Sequence, residues 1–201
     1  MPELPEVETT RRGLLTRMQG AEIEAIELLR PDLRFPMPAD LEEQLQGAVI
    51  RDIERLGKYL LIHTDRNLTL ISHLGMSGSF RLRDARPEHL QKHDHVVIHL
   101  RGRGVAIYHD PRRFGMLLLA PTDSVKQHPL LARMGPDPLT KEFTAAYLFK
   151  RLQNCKTAIK IAIMDQCIIP GMGNIYASEA LFRAGISPKR AANKVSKAQI
   201  T

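Results

Sequence analysis

The spacing of apolar positions along this chain changes character twice, and those changes mark out its elements. Val7, Leu14, Leu15 and Met18 recur at helical spacing. Pro5 suits a first helical turn, where its missing N–H costs nothing, and Gly20 is a natural stop, so a helix is predicted over 5–20. From about Ala21 to Pro121 the pattern shortens to extended runs broken by turn residues. Ile23, Ile26 and Leu28 mark one short strand. AVIRDIERLGKYLLIHT reads as an extended stretch that passes through the polar turn DRN into LTLISHL. HVVIHL, RGRG and VAIYH predict a hairpin that turns at Gly102 and Gly104. Many short strands with turn signals argue for a β-sandwich or barrel-like layer beside the first helix. After MGPDPLT the period becomes helical over 141–153, about 157–166 and 174–184, with PGMG between the second and third helices. That makes a helix–turn–helix-like pair, and Ser187 and Pro188 offer the start of a further helix. There is no internal repeat and no low-complexity tract.

Composition narrows the class. With 201 residues the chain holds one large or two small domains, and 43% hydrophobic with 25% charged residues is ordinary for a globular protein. No run of 18 apolar residues occurs and no basic segment precedes an apolar one, so neither a membrane span nor a signal peptide is expected. Cys155 and Cys167 have no CxxC spacing, which points to a reducing, cytoplasmic setting without a disulfide framework or a zinc site. Charge changes the picture more. Residues 1–140 hold 19 basic and 19 acidic residues, whereas 141–201 hold 10 basic residues against Glu142, Asp165 and Glu179. The whole net charge of +7 therefore sits in the last third, a pattern that favours polyanions and nucleic acid above all.

The candidate chemistry begins at the terminus. MPELPEVETT places a secondary amine, Pro2, beside Glu3. If Met1 is removed, Pro2 carries a free amine titrating near ~7.7–8.0, nucleophilic at cellular pH. Such an amine attacks a sugar carbon and collapses to an iminium ion, an electron sink, with Glu3 in reach as acid or base. The same residues also read simply as an acidic helix start, its carboxylates complementing the helix dipole. HLGMSGSF and DPRRFG supply His73 and Arg113 for phosphate, and Met76, Arg112 and Phe114 as side chains able to wedge between base pairs. In KHDHVVIHL no carboxylate or cysteine cluster completes a metal shell around His93, His95 and His99. One histidine is expected to face DNA and the others to be bonded within the fold. GMGNIYASEALF puts Asn174 at a helix N-terminus, a ready phosphate seat, with Lys156 and Lys160 on the preceding helix.

MPELPEVET, GKYL, HLGMSGSF, KHDH, DPRRFG and GMGNIYASE, in this order from Met1 to at least Leu181, resemble bacterial formamidopyrimidine-DNA glycosylases. The ELPEVET start resembles that branch rather than the related endonuclease VIII branch. The resemblance implies an α+β fold: an N-terminal helix plus β-sandwich over 1–132, then a helix–two-turn–helix domain over 133–201, with double-stranded DNA between them. It implies a monomeric enzyme that excises 8-oxoguanine and formamidopyrimidines and cuts the strand by β,δ-elimination. Pro2 is then the Schiff-base nucleophile at C1′, Glu3 the general acid supported by Glu6, and Lys58 a phosphate contact that assists elimination. Met76, Arg112 and Phe114 fill the gap left by the flipped base, with Arg112 reading the orphan cytosine. His73, His93, Arg113, Lys160 and Asn174 hold the backbone, and Lys156 is a further candidate.

The chain also departs from the family pattern. Family members continue into a zinc ribbon held by four cysteines, and no four-cysteine set exists here. No cofactor is therefore expected in this chain, and part of the loop covering the flipped base is expected to be missing. Ile161 and Pro170 differ from the usual residues around these helices. The alternative expectation is a DNA-binding remnant with weak or no catalysis.

Overall fold

The computed structural model describes residues 2–200, which fall into two compact units parting between His128 and Pro129 rather than at 132 and 133. The first unit opens with α1 (Leu4–Met18), close to the predicted helix. A capping box starts it: the Glu3 side chain accepts from the backbone N–H of Glu6, and the Glu6 carboxylate accepts from the Glu3 N–H at 2.9 Å. Eight strands follow: β1 (Ile23–Leu28), β2 (Ile50–Leu56), β3 (Tyr59–Thr64), β4 (Leu68–His73), β5 (Ser79–Arg83), β6 (Asp94–Leu100), β7 (Gly104–His109) and β8 (Met116–Pro121). They form two four-stranded antiparallel sheets, ordered β1-β6-β7-β5 and β2-β3-β4-β8.

Alternation along the strands builds the core. Val96 and Ile98 of β6 and Ala106 and Tyr108 of β7 join Leu60 and Ile62 of β3 in one cluster, while Val97, Val105 and Ile107 form a separate cluster with Leu90. Val7, Leu14 and Met18 of α1 enter the main cluster, and α1 packs against β2 and β3 of one sheet and β5 of the other. A short helix, α2 (Leu41–Leu45), buries Leu41 and Leu45 beside β1, an element the apolar pattern did not announce.

The stretch read as one extended run, 48–64, is in fact a hairpin. Leu56 pairs with Tyr59 across a two-residue turn, Gly57-Lys58, with Gly57 at φ +59°. A glycine at the first position of such a turn takes the positive φ that matches strand twist. The turn puts only one glycine and one lysine between Leu56 and Tyr59, so the reversal leaves little trace in the pattern.

The turn is held by charge. Arg55, its side chain 7% exposed, donates through Nε to Glu8 of α1 at 3.2 Å and through Nη1 to the Gly57 carbonyl at 3.2 Å. Arg11 donates to the same Glu8 carboxylate and to the Ile53 carbonyl at 3.1 Å. These guanidinium groups, Arg11 foremost, hold the Glu8 carboxyl down to about 2.

The second unit contains α3 (Ala145–Gln153), α4 (Ile159–Met164) and α5 (Asn174–Arg183), around a cluster that includes Leu152, Ile159, Ile163, Ile169, Ala177 and Leu181. The helix α4 is shorter than the 157–166 expected. Beyond Pro188 the described chain makes only two 3-10 turns, Ala192–Lys194 and Lys197–Gln199, in place of a further helix. Among the described residues no helix is long and apolar enough to cross a membrane.

Arg55→Met, which removes a donor to the Gly57 carbonyl and one of the two donors to Glu8 Oε2, is expected to destabilise the first unit by about 1–3 kcal/mol. Arg12→Ala, at a largely exposed partner of the same carboxylate, is expected to leave the urea midpoint unchanged. Equal shifts for the two variants would contradict the bridging role of Arg55.

Candidate active site

The start of α1 and the β2–β3 turn place the chemistry of the first unit. Glu3, at the helix N-cap, is 1% exposed, whereas Glu6 one turn on is exposed. Pro2 precedes Glu3 and is half-buried; Met1, whose removal would free the Pro2 amine, lies outside the described residues. Lys58 occupies the second position of the turn that Arg55 ties back to α1. Burial pushes its ammonium below the usual lysine range, and the Glu3 charge opposes that shift. A buried acid and a half-buried amine thus lie within each other's field, the acid directly following Pro2.

His73 ends β4, directly across from Tyr59 in the β3–β4 register, and the two rings lie 4.8 Å apart. Its Nδ1 accepts the Gly75 N–H at 2.9 Å, which places the ring proton on Nε2 in the neutral tautomer. Burial, then the charges of Lys58 and Arg34, push His73 down to about 4, so it is uncharged at neutral pH. Its contribution there is a neutral hydrogen bond, not the phosphate-binding charge that a protonated histidine supplies.

Beyond His73, two loops meet. Gly75 has φ +61°, and a Cβ there would lie 2.3 Å from the Phe114 carbonyl carbon, so only glycine permits this contact. Met76 and Phe114 are 39% and 44% exposed, and Arg112 stacks its guanidinium 4.8 Å from the Phe114 ring centre. Arg113 adopts φ +57°, unusual for a side-chain-bearing residue, and is exposed beside it. Met76, Arg112 and Phe114 are therefore assembled on one pair of loops.

The histidines of KHDHVVIHL are placed apart in role. His95 donates Nε2–H to the Asp110 carbonyl at 2.8 Å, and His99 lies 2.6 Å from Glu27. His93 sits just before β6 with its ring beside those of His95 and His109, and is half-buried. Among the described residues no three His, Cys, Asp or Glu side chains are grouped to hold a metal.

In the second unit, α5 begins at Asn174 after Gly173, and Asn174 is exposed at the positive end of the helix. Lys160 is half-buried on α4, while Lys156 lies in the exposed segment before that helix rather than on it. Ile161 is 64% exposed and Pro170 is buried. The turn between the helices is shaped by Gln166. Its amide donates to the Met164 and Met172 carbonyls at 3.0 and 3.1 Å and accepts the Gly171 N–H at 2.7 Å.

Sequence reasoning missed Arg34, Arg55, Tyr59, Ser77, Asp110 and Gln166. Ser77 and Asp110 lay inside the motifs HLGMSGSF and DPRRFG, so the signal existed without a role attached to it. Arg55 and Gln166 act through contacts that no local pattern announces.

Comparison with known proteins adds the lineage of this arrangement. Residues 1–117 match the family model described as the formamidopyrimidine-DNA glycosylase N-terminal domain, and 134–201 match the formamidopyrimidine-DNA glycosylase H2TH domain. The chain is 48% identical to the formamidopyrimidine-DNA glycosylase of Azorhizobium caulinodans, over 98% of this chain and 71% of that one. It is 50% identical to that of Methylococcus capsulatus, over 99% of this chain and 72% of the relative. Among solved structures it is similar to Lactococcus lactis Fpg in complex with DNA containing an abasic site. The TM-score is 0.90 at 36% identity, covering 98% of this chain and 72% of that one. A Lactococcus lactis mutant complexed with Fapy-dG-containing DNA gives a TM-score of 0.91, also at 36% identity, covering 99% of this chain and 73% of that one.

The depressed His73 pKa has a signed consequence. The unfolded chain takes up this proton near the ordinary histidine value of 6.5, the folded chain only near 4. The stability that His73 contributes is therefore present above 6.5 and is lost as pH falls through about 4. An NMR titration is expected to place the His73 imidazole midpoint near 4, and Lys58→Met to raise it by removing a neighbouring charge. A midpoint near 6.5 in the intact chain would overturn this.

Proposed function

The chain belongs to the formamidopyrimidine-DNA glycosylase family, and from that premise we propose that it excises oxidised purines from duplex DNA and cleaves the strand at the resulting abasic site. The substrates are 8-oxoguanine and formamidopyrimidine lesions, and the chain acts as a monomer. One observation carries the reading: buried Glu3 and half-buried Lys58 are electrostatically coupled at the start of the helix that Pro2 precedes.

Each step follows from a group in place. The neutral Pro2 nitrogen attacks C1′ and loses its proton. The damaged base departs by breaking its bond to C1′ and takes up a proton, and Glu3 donates the proton that lets the sugar ring open. The bond between Pro2 and C1′ becomes an iminium, which withdraws electrons and acidifies the C2′ proton. Loss of that proton expels the 3′ phosphate, and a second elimination expels the 5′ phosphate. Lys58 binds phosphate and assists the elimination. Glu6 supports Glu3 through the capping box, fixing the acid at the helix start.

DNA must be opened before this chemistry begins, because C1′ of a stacked nucleotide is shielded. Glycosylases are themselves the reference case for base flipping, and its cost of a few kcal/mol is that of the class, not a value for this chain. Met76, Arg112 and Phe114 supply the wedge that offsets it, with Arg112 facing the orphan base. His73, His93 and Arg113 in the first unit, and Lys156, Lys160 and Asn174 in the second, hold the backbone. For His73 the contact is a neutral Nε2–H donor. The excess charge of residues 141–201 supports the second set.

The family's zinc ribbon requires four thiolates. Cys155 and Cys167, both free and part-buried, do not provide that shell, and no step here is routed through zinc.

Borohydride is expected to trap Pro2 covalently on an 8-oxoguanine duplex at low salt. Lys58→Ala is expected to slow strand cleavage about 10²-fold while the trapped adduct still forms. No adduct with the intact chain, together with binding that weakens steeply with salt, would reduce the protein to a DNA-binding role.

A further inference from the structure

The side chains that form the wedge come from different loops. Met76 lies between β4 and β5, whereas Arg112 and Phe114 lie between β7 and β8. What joins the loops lies beneath them.

Ser77 is the neighbour of Met76. Its hydroxyl donates to Asp110 Oδ1 at 2.6 Å and accepts the Arg112 N–H at 3.1 Å. Asp110 is fully buried. Its other oxygen accepts the Gly115 N–H at 2.8 Å, and its first oxygen also receives the Arg112 N–H at 3.3 Å. The carboxylate thus closes the DPRRFG loop on itself and holds Ser77 of the opposite loop. Hydrogen bonds from Ser77, Arg112 and Gly115 thus satisfy this buried side chain. The Gly75 backbone presses on Phe114 and Gly115 from the other side. The Tyr108 hydroxyl, whose pKa burial and the Asp110 charge push up, donates to the His73 carbonyl at 3.4 Å.

We propose that Ser77 is a positioning residue that locks the Met76 loop to the Arg112–Phe114 loop, so that the three side chains enter the duplex as one wedge. The inference rests on reading these loops as the DNA wedge. Two independent loops would each have to be ordered on DNA, and that cost would be taken from the energy available to unstack a base. The Ser77 hydroxyl places it in folding instead. The strained Arg113 backbone is consistent with a loop whose shape is set by its anchors rather than by its own preference. Because Arg112 is held through its own N–H, the same bond also sets where its guanidinium meets the orphan base.

The test compares Ser77→Ala with Ser77→Thr, which keeps the hydroxyl, in the full chain. A 2-aminopurine beside the position opposite an uncleavable abasic analogue reports unstacking without any chemistry. The intact chain is expected to raise its fluorescence at saturation; Ser77→Ala is expected to lose most of that rise, and Ser77→Thr to restore it. In parallel, Ser77→Ala is expected to excise 8-oxoguanine about 100-fold more slowly, the usual scale for a displaced positioning group. Its preference for cytosine opposite the lesion is expected to narrow, while borohydride trapping on a preformed abasic duplex falls far less than excision does.

Fluorescence unchanged in Ser77→Ala, Ser77→Thr behaving like Ser77→Ala, or trapping that falls in step with excision would each overturn the proposal. So would the absence of a fluorescence rise with the intact chain. If the intact chain forms no trapped adduct, the catalytic reading fails on its own, and the fluorescence comparison still decides the coupling.

Discussion

Arg55 bridging Glu8 and the Gly57 carbonyl is the constraint on which the proposed active site of the first unit depends. A helix N-terminus and a hairpin turn both fray readily, and here each holds a residue of that proposed site. Glu3 sits at the first and Lys58 at the second. Either could be well formed alone and still miss the other. A guanidinium makes the difference because it is planar, permanently charged and forked, and so can hold a carboxylate and a carbonyl in fixed geometry at once. Burial of that side chain keeps water from competing for the bond. Arg11 repeats the device one step away, joining Glu8 to the β2 backbone at Ile53.

Charge elsewhere in the site follows from this placement. Lys58 is partly desolvated, which weakens its hold on a proton, and the nearby Glu3 limits the effect. His73 is kept neutral first by its burial and then by the field of the same lysine. From HLGMSGSF, His73 reads as a phosphate contact. Its surroundings make it a neutral side chain that accepts the Gly75 N–H and lies against the Tyr59 ring.

Much of the fold was legible because its signals are periodic. The helix α1, the β6–β7 hairpin and α5 have boundaries close to those that apolar spacing and turn residues predict. The β2–β3 hairpin was not legible, since its turn is only a glycine and a lysine, too short a polar break to separate two strands in the pattern. The same limit applies to α4, where a short apolar segment reads as a longer helix than the chain makes. Beyond Pro188, a proline after a serine reads as a helix start, but the chain there closes on α4 through backbone bonds from Ile159 and Lys160 to Arg190 and Pro188.

The sequence by itself determined the reactive vocabulary: a proline amine beside a glutamate, a lysine after glycine, two loops bearing wedge residues, and a basic final third. Six motifs in one order also determined the family, because each motif is local and survives without reference to its neighbours. Tertiary structure alone decided which of these groups act together. Glu8 is 47 residues from Arg55, Ser77 is 33 from Asp110, and no short-range pattern records such pairs. The physical reason is that a buried polar group must find a partner within hydrogen-bond reach, and folding, not spacing along the chain, brings that partner there.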